Sequence, residues 1–358
     1  MVYKIKRLCS CSDNGAAHRK DESTVNKIDL NYKFKGTDCV KMQSDKYTAI
    51  IAPSIGSAVL RMRDDENDLE IFRFRKFVSM KTIEGQREVW GLPTLYLPNR
   101  FASGVLKTSD AVYNFPINEP KLDNFIHGWV HKRAHEIECY SDDNGKCVLI
   151  TSYIYDEKDE MYQYFPVDFK ISYTFTLSKD GLLQEIYLTS NSDKALPVSI
   201  CTHTCINSPL KDGGNEADLR LCVPVGEKCE LNRRCLPTER LLPLADWDKE
   251  YKDGTKAPTG QPLDNDMYTA VANSYKGKPF NGAIITDIKS GHVLLNEVSK
   301  EFRFWNMWNC GGDKGYFCPE PMTAMINAPN LELGDEVTGY CEIKKGETYK
   351  CWQRFYTE

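Results

Sequence analysis

Between Phe169 and Leu177 the chain alternates without a break. Phe169, Ile171, Tyr173, Phe175 and Leu177 are apolar, and Lys170, Ser172, Thr174 and Thr176 lie between them. Successive side chains of an extended chain point to opposite faces, so this pattern buries one face as a strand and would scatter its apolar residues round a helix. The turn residues Ser178-Lys179-Asp180-Gly181 follow, then a second strand-like run over 183–189, which predicts an antiparallel hairpin. The same grammar recurs over 136–155 around Asp143-Asn144-Gly145, over 283–298 around Ser290-Gly291, and near the C-terminus around Lys345-Gly346. Apolar stripes at helical spacing are missing, apart from a short helix expected over 246–251. The expectation is an all-β fold, a large antiparallel β-sandwich built from hairpins rather than alternating βαβ units.

With 358 residues, 41% hydrophobic and 27% charged, the chain has material for a sizeable core. Residues 1–28 read as a polar N-terminal arm, irregular over 12–26, and 29–358 as a single β-sandwich domain. The tract 236–262, with Pro237, Pro243, Pro258 and Pro262, reads as a long loop. A net charge of −5 from 46 basic and 51 acidic residues leaves no footprint for nucleic acid, and the basic groups at Lys4, Lys6 and Arg7 and at His131, Lys132 and Arg133 are small. No run reaches the apolar length of a membrane span, and the N-terminus lacks an apolar leader, so a cytoplasmic location is expected. The fourteen cysteines include no Cys-x-x-Cys pair and are expected to be reduced and mostly buried.

Chemistry is offered by a few residues. Glu320 stands between Pro319 and Pro321, each of which restricts the backbone around it, so this carboxylate is aimed by its main chain. His203 ends the strand-like run 198–203, and His127 precedes Gly128 among apolar neighbours; either alone could be a buried structural histidine. Arg100 follows Asn99 in a turn bounded by Pro98 and Gly104, and its planar fork of donors suits hydroxyls or a carboxylate. Asp264 and Asp266 offer acceptors at a loop-to-strand boundary. Cys201, His203 and Cys205 would share one face of a strand, but neighbours two apart lie about 7 Å from each other, too far to close a zinc site without a bend. No metal or other cofactor is expected.

Taken in order, Asn99-Arg100, His127-Gly128, His203 with Asn207, the Asp264/Asp266 pair, and Glu320-Pro321 with Thr323 and Asn327-Ala328 resemble the aldose 1-epimerase (galactose mutarotase) family, from about residue 47 to the C-terminus. The resemblance implies the galactose mutarotase-like supersandwich and interconversion of the α and β anomers of a hexose or related sugar. Glu320 would be the base on the anomeric hydroxyl and His203 the acid on the ring oxygen. His127, Arg100, Asn99 and one of Asp264 or Asp266 would hold the sugar. Such exchange needs one acceptor and one donor on two oxygens of the same carbon, and no metal or nucleotide. It also leads one to expect His203 and Glu320 facing each other across a cleft one sugar ring wide. Where the family has aromatics two and three residues after the acid histidine, this chain has Cys205 and Ile206; where it has an Asp three residues before an aromatic, this chain has Asn265 before Tyr268.

Two other classes compete. A carbohydrate-binding protein on the same fold would need no matched acid and base, and a metal or redox protein would draw on the cysteines. The expected partner is a small-molecule sugar, with neither nucleic acid nor membrane; the sugar and the oligomeric state stay open.

Overall fold

The computed structural model describes residues 6–7 and 26–358. Most of the expected polar arm lies outside the described residues, and Lys27 already opens a strand, Lys27–Phe34. Three antiparallel sheets dominate. A nine-stranded sheet carries the expected hairpins: Glu136–Asp143 with Lys146–Tyr155, Phe169–Ser178 with Gly181–Ser190, and Gly282–Asp287 with Val293–Val298. Its members include the last strand, Thr348–Thr357, and an edge strand, Lys6–Arg7, that runs parallel to Glu136–Asp143. The second sheet has eight strands, among them Val225–Leu231, Asp264–Ala270, Phe304–Trp308 and Tyr316–Met322. The third has five, running in chain order from Lys27–Phe34 to Leu69–Glu70.

Why these segments are strands follows from their faces. Along Phe169–Ser178 buried and half-buried residues alternate without exception, and Phe175 and Tyr173 are fully enclosed. Burying each such aromatic contributes roughly 1.5–3 kcal/mol. One continuous core draws Tyr173 and Phe175 from the first sheet, Tyr268, Trp305 and Phe317 from the second, and Val40 and Met42 from the third. No helix among the described residues is long and apolar enough to cross a membrane.

Two expectations about elements need correction. The segments flanking Lys345-Gly346 are not partners: Cys341–Ile343 pairs with Leu196–Val198, and Thr348–Thr357 lies between Gly181–Ser190 and Val293–Val298. Turn residues reverse the chain there, but each arm finds its mate in a distant segment. The tract 236–262, expected as a long loop, also holds the strand Pro237–Leu242, while the short helix expected over 246–251 is present as Asp246–Asp253. Pro237 is tolerated because its strand lies at the sheet's edge, where a missing N–H breaks no ladder.

Candidate active site

Trp305, Met307 and Phe317 enter the main core. Alternation therefore puts Phe304, Asn306 and Trp308, and on the adjacent strand Cys318, Glu320 and Met322, on the opposite face of the eight-stranded sheet. Phe304 and Met322 join one apolar cluster there, and Cys318 another. Between them Asn306 and Glu320 stand directly opposite each other.

The prolines beside Glu320 sit inside a strand, where a missing N–H normally breaks a ladder. Here residues 318–322 keep their pairing with Phe304–Trp308 on one side. On the other side pairing is interrupted between Phe317, opposite Ile206, and Met322, opposite Cys201. The segment that spans this gap, 203–205, carries His203. Local sequence thus opens the sheet where the histidine enters.

His203 is 4% exposed and Glu320 1%, with His203 Nε2 3.5 Å from Glu320 Oε1. The expected gap of one sugar ring is not what the fold provides: the two side chains lie side by side. Burial pushes the Glu320 carboxyl up to about 7 against the pull of His203. Burial would lower His203, but the Glu320 carboxylate, with Cys205, more than offsets it and holds the ring up at about 9. Cys201 directs its thiol at Glu320 Oε2, 3.8 Å away.

Both groups line a cavity of about 240 Å³, which His127, Arg100 and Asn99 also line. The strand pair Arg100–Ala102 and Asn124–Ile126 brings these together, and the His127 N–H bonds to the Asn99 carbonyl at 2.9 Å. Asn99 and His127 adopt left-handed backbone conformations, φ 52° and 67°, an arrangement that concentrates at binding sites. Gly128 follows because a Cβ there would lie 2.1 Å from the Tyr96 carbonyl oxygen. Burial, with His203 nearby, pushes His127 well below the usual histidine range, so it is neutral. Its Nδ1 is buried without a hydrogen-bond partner, which suits a waiting ligand. Arg100 is clamped by two 2.9 Å bonds to Glu119 and donates from Nη1 to Asn99 and Asn265, both at 3.3 Å.

Asp264 and Asp266 do not line the cavity; Asn265 between them does. The register shifts between Asp264, opposite Trp308, and Asp266, opposite Met307, leaving Asn265 as the extra residue of a β-bulge at φ 57°. Bulges re-aim side chains beside sites in this way. Asp264 is exposed, and Asp266 pairs with Lys228 at 2.8 Å.

Glu88 was not anticipated. It lines the cavity from the short helical turn Arg87–Val89, and its Oε1 accepts from His131 Nε2 at 2.9 Å and Lys132 Nζ at 2.7 Å. Burial would raise this carboxyl, but His131 and Lys132 hold it well below the usual range. His131, pushed down by burial to about 4, donates as a neutral ring. The basic group at 131–133 is thereby used internally, with Arg133 bound to Asp159 and Glu160. Trp308 and Val89 supply apolar wall. Nothing local in the sequence marks Glu88 or Trp308; only the sheet register and loop course bring them in.

All twelve described cysteines are free thiols. The trio considered from the sequence does not converge; instead His203, Cys205 and Cys318 place donor atoms within 4.8 Å of one another. Three donors fall short of the four of a closed zinc site, and their contacts form a chain, Cys318 Sγ to Cys205 Sγ at 3.5 Å and Cys205 Sγ to His203 Nδ1 at 3.6 Å.

The family profile described as aldose 1-epimerase matches residues 38–356. The chain belongs to the aldose 1-epimerase family. Among solved structures of similar shape, a galactose mutarotase-like protein from Clostridium acetobutylicum superposes with a TM-score of 0.90 at 28% identity, covering 94% of this chain and 99% of the other. Galactose 1-epimerase from Lactobacillus acidophilus gives 0.70 at 14% identity, covering 94% and 99%. An aldose epimerase homologue from C. elegans gives 0.66 at 17%, covering 87% and 95%. The last two bear on the fold alone, and the aldose 1-epimerase family accounts for the galactose mutarotase-like arrangement of sheets.

Proposed function

We propose that this protein is an aldose 1-epimerase acting on an unphosphorylated hexose or a closely related aldose. The observation that carries the reading is the side-by-side placement of His203 Nε2 and Glu320 Oε1, 3.5 Å apart, in one cavity. Ionised Glu320 takes the proton of the anomeric hydroxyl while the His203 imidazolium gives one to the ring oxygen. The bond between C1 and the ring oxygen breaks, leaving a free aldehyde. Rotation about C1–C2 and the reverse proton transfers close the ring on the other face. A donor and an acceptor that act together in this way contribute roughly 10²–10⁴-fold each.

Charge supports a neutral sugar. Glu119 already satisfies two Arg100 nitrogens, and Glu88 and Glu320 line the same cavity, so a phosphate would meet repulsion without a free cation. The matched acid and base favour turnover over a carbohydrate-binding protein of the same fold. The test is α/β interconversion of free aldoses followed by NMR exchange. Wild type is expected to accelerate it for at least one free hexose and not for that hexose's phosphate, with Glu320→Gln inactive. No acceleration across a broad aldose panel would overturn the reading.

A further inference from the structure

His203 has two nitrogens, and its use as an acid depends on the one that the sugar never meets. Nε2 faces Glu320 and the cavity. Once Nε2 has given up its proton, the neutral ring must keep the remaining one on Nδ1, or Nε2 cannot take a proton back at ring closure. A side chain that accepts the Nδ1 proton fixes this tautomer and the ring's orientation, as the buried partner of a catalytic histidine does elsewhere. Cys205 Sγ lies 3.6 Å from Nδ1 and is fully buried.

We propose that Cys205 is a positioning residue for anomer exchange: its sulfur accepts the Nδ1 proton of His203 and keeps Nε2 aimed at the sugar's ring oxygen, with the Cys318 thiol supporting that sulfur from behind. This role rests on the epimerase reading and adds a residue to it. The placement is rigid. The Cys205 N–H bonds to the Gly91 carbonyl at 3.1 Å, and its own carbonyl accepts from the Arg73 N–H at 2.8 Å. Ile206 pairs with Phe317, which sets Cys205 opposite Cys318, and their sulfurs are 3.5 Å apart.

The surroundings give the sulfur an accepting role in either state. The carbonyl oxygens of His203 and Glu88, 3.3 and 3.5 Å from Sγ, take the thiol proton when there is one, leaving the lone pairs to Nδ1. Burial raises the thiol, but Cys318, His203 and the Arg73 guanidinium outweigh it, and the group is lowered to about 6. Arg73 is held there between the rings of Trp90 and Tyr316, at 3.8 Å from each. The charged and titratable groups facing Cys205 are thus His203, Cys318 and Arg73, with Cys201, Glu320, Arg87 and Tyr316 beyond them.

Two measurements test this. The first is the ¹⁵N NMR spectrum of the His203 ring in substrate-free wild type, recorded on the alkaline side of its titration; the proton is expected on Nδ1. The second is the kinetics of Cys205→Ala and Cys205→Ser. Loss of the acceptor is expected to lower kcat by about 10–100-fold, as removing the partner that orients a metal-bound histidine does, with KM little changed. The serine hydroxyl, also an acceptor, should restore most of the rate. A neutral His203 carrying its proton on Nε2, or a folded Cys205→Ala with wild-type kcat, would overturn the role of Cys205 alone. A wild type inactive on every aldose would overturn the epimerase reading and this role with it. If Cys205→Ala does not fold, the wild-type spectrum still decides.

Discussion

On the proposed reading, Glu320 and His203 work together over a pH window set by how far each is displaced from its ordinary titration range. The carboxyl, raised to about 7 by burial, must be ionised to act as base, so activity is lost as pH falls through that value. The imidazole, held near 9 by the neighbouring carboxylate, must be protonated to act as acid, so activity is lost as pH rises through it. A bell-shaped profile of kcat/KM between these limits is expected, and one flat across the window would be incompatible with the pair acting as acid and base. Asn265 makes a second prediction at this scale. Asn265→Ala removes a neutral hydrogen-bonding group, about 1 kcal/mol, and should raise KM about fivefold; an unchanged KM would show that Asn265 does not touch the sugar. Glu320 was legible in the sequence because its two prolines mark it. Asn265 was not, because which of three consecutive residues faces the cavity depends on a bulge that only the pairing of two strands reveals.

At the scale of elements, turn chemistry was the reliable guide. Asn144 and Gly145 take positive φ, 51° and 76°, in the two-residue loop between Asp143 and Lys146, as a twisted hairpin requires. A Cβ on Gly145 meets nothing within 4 Å. Gly145→Ala should therefore cost about 1 kcal/mol in denaturant unfolding, the strain of a left-handed alanine, and leave activity intact. Gly128→Ala adds a collision with the Tyr96 backbone and should lower kcat/KM by displacing His127; wild-type activity in that variant would show that His127 is not held by its neighbour. The limit of the same guide appears at Lys345-Gly346, where the chain turns but its arms join different strands. Turn residues specify that a chain reverses and carry no information about which distant strand it then meets.

Across the whole molecule, the sheets are tied by a polar knot as well as by the shared core. Asp64, whose side chain is fully enclosed, accepts from Thr357 of the last strand and from Asn67, and pairs with Lys46 at 3.0 Å. Burial would raise this carboxyl, but these hydrogen bonds and the ammonium group hold it below the usual range. A depressed carboxyl stabilises the fold above its unfolded value and loses that contribution as pH falls through its folded one. Asp64→Ala should lower stability at neutral pH by about 3 kcal/mol, as expected when a buried pair loses one member, and should show a shallower acid-induced loss than wild type. The β-sandwich itself was readable from alternation, since period two admits few other architectures. The knot was not, because its members lie some 290 residues apart.

The polar stripe of Asn306 and Glu320 lies on the face of its sheet turned away from the main core, under segments that arrive from elsewhere in the chain. Strand register therefore carries Glu320, while His203 enters through the gap beside it and much of the surrounding wall rides on a bulge and on turns. Mutations in that wall can accumulate without disturbing the packed interior. The 0.90 superposition at 28% identity shows how far side chains can drift on an unchanged frame. In a lineage under selection, and on the proposed reading, preference among sugars would be a trait that changes residue by residue, while the frame that holds Glu320 is inherited whole.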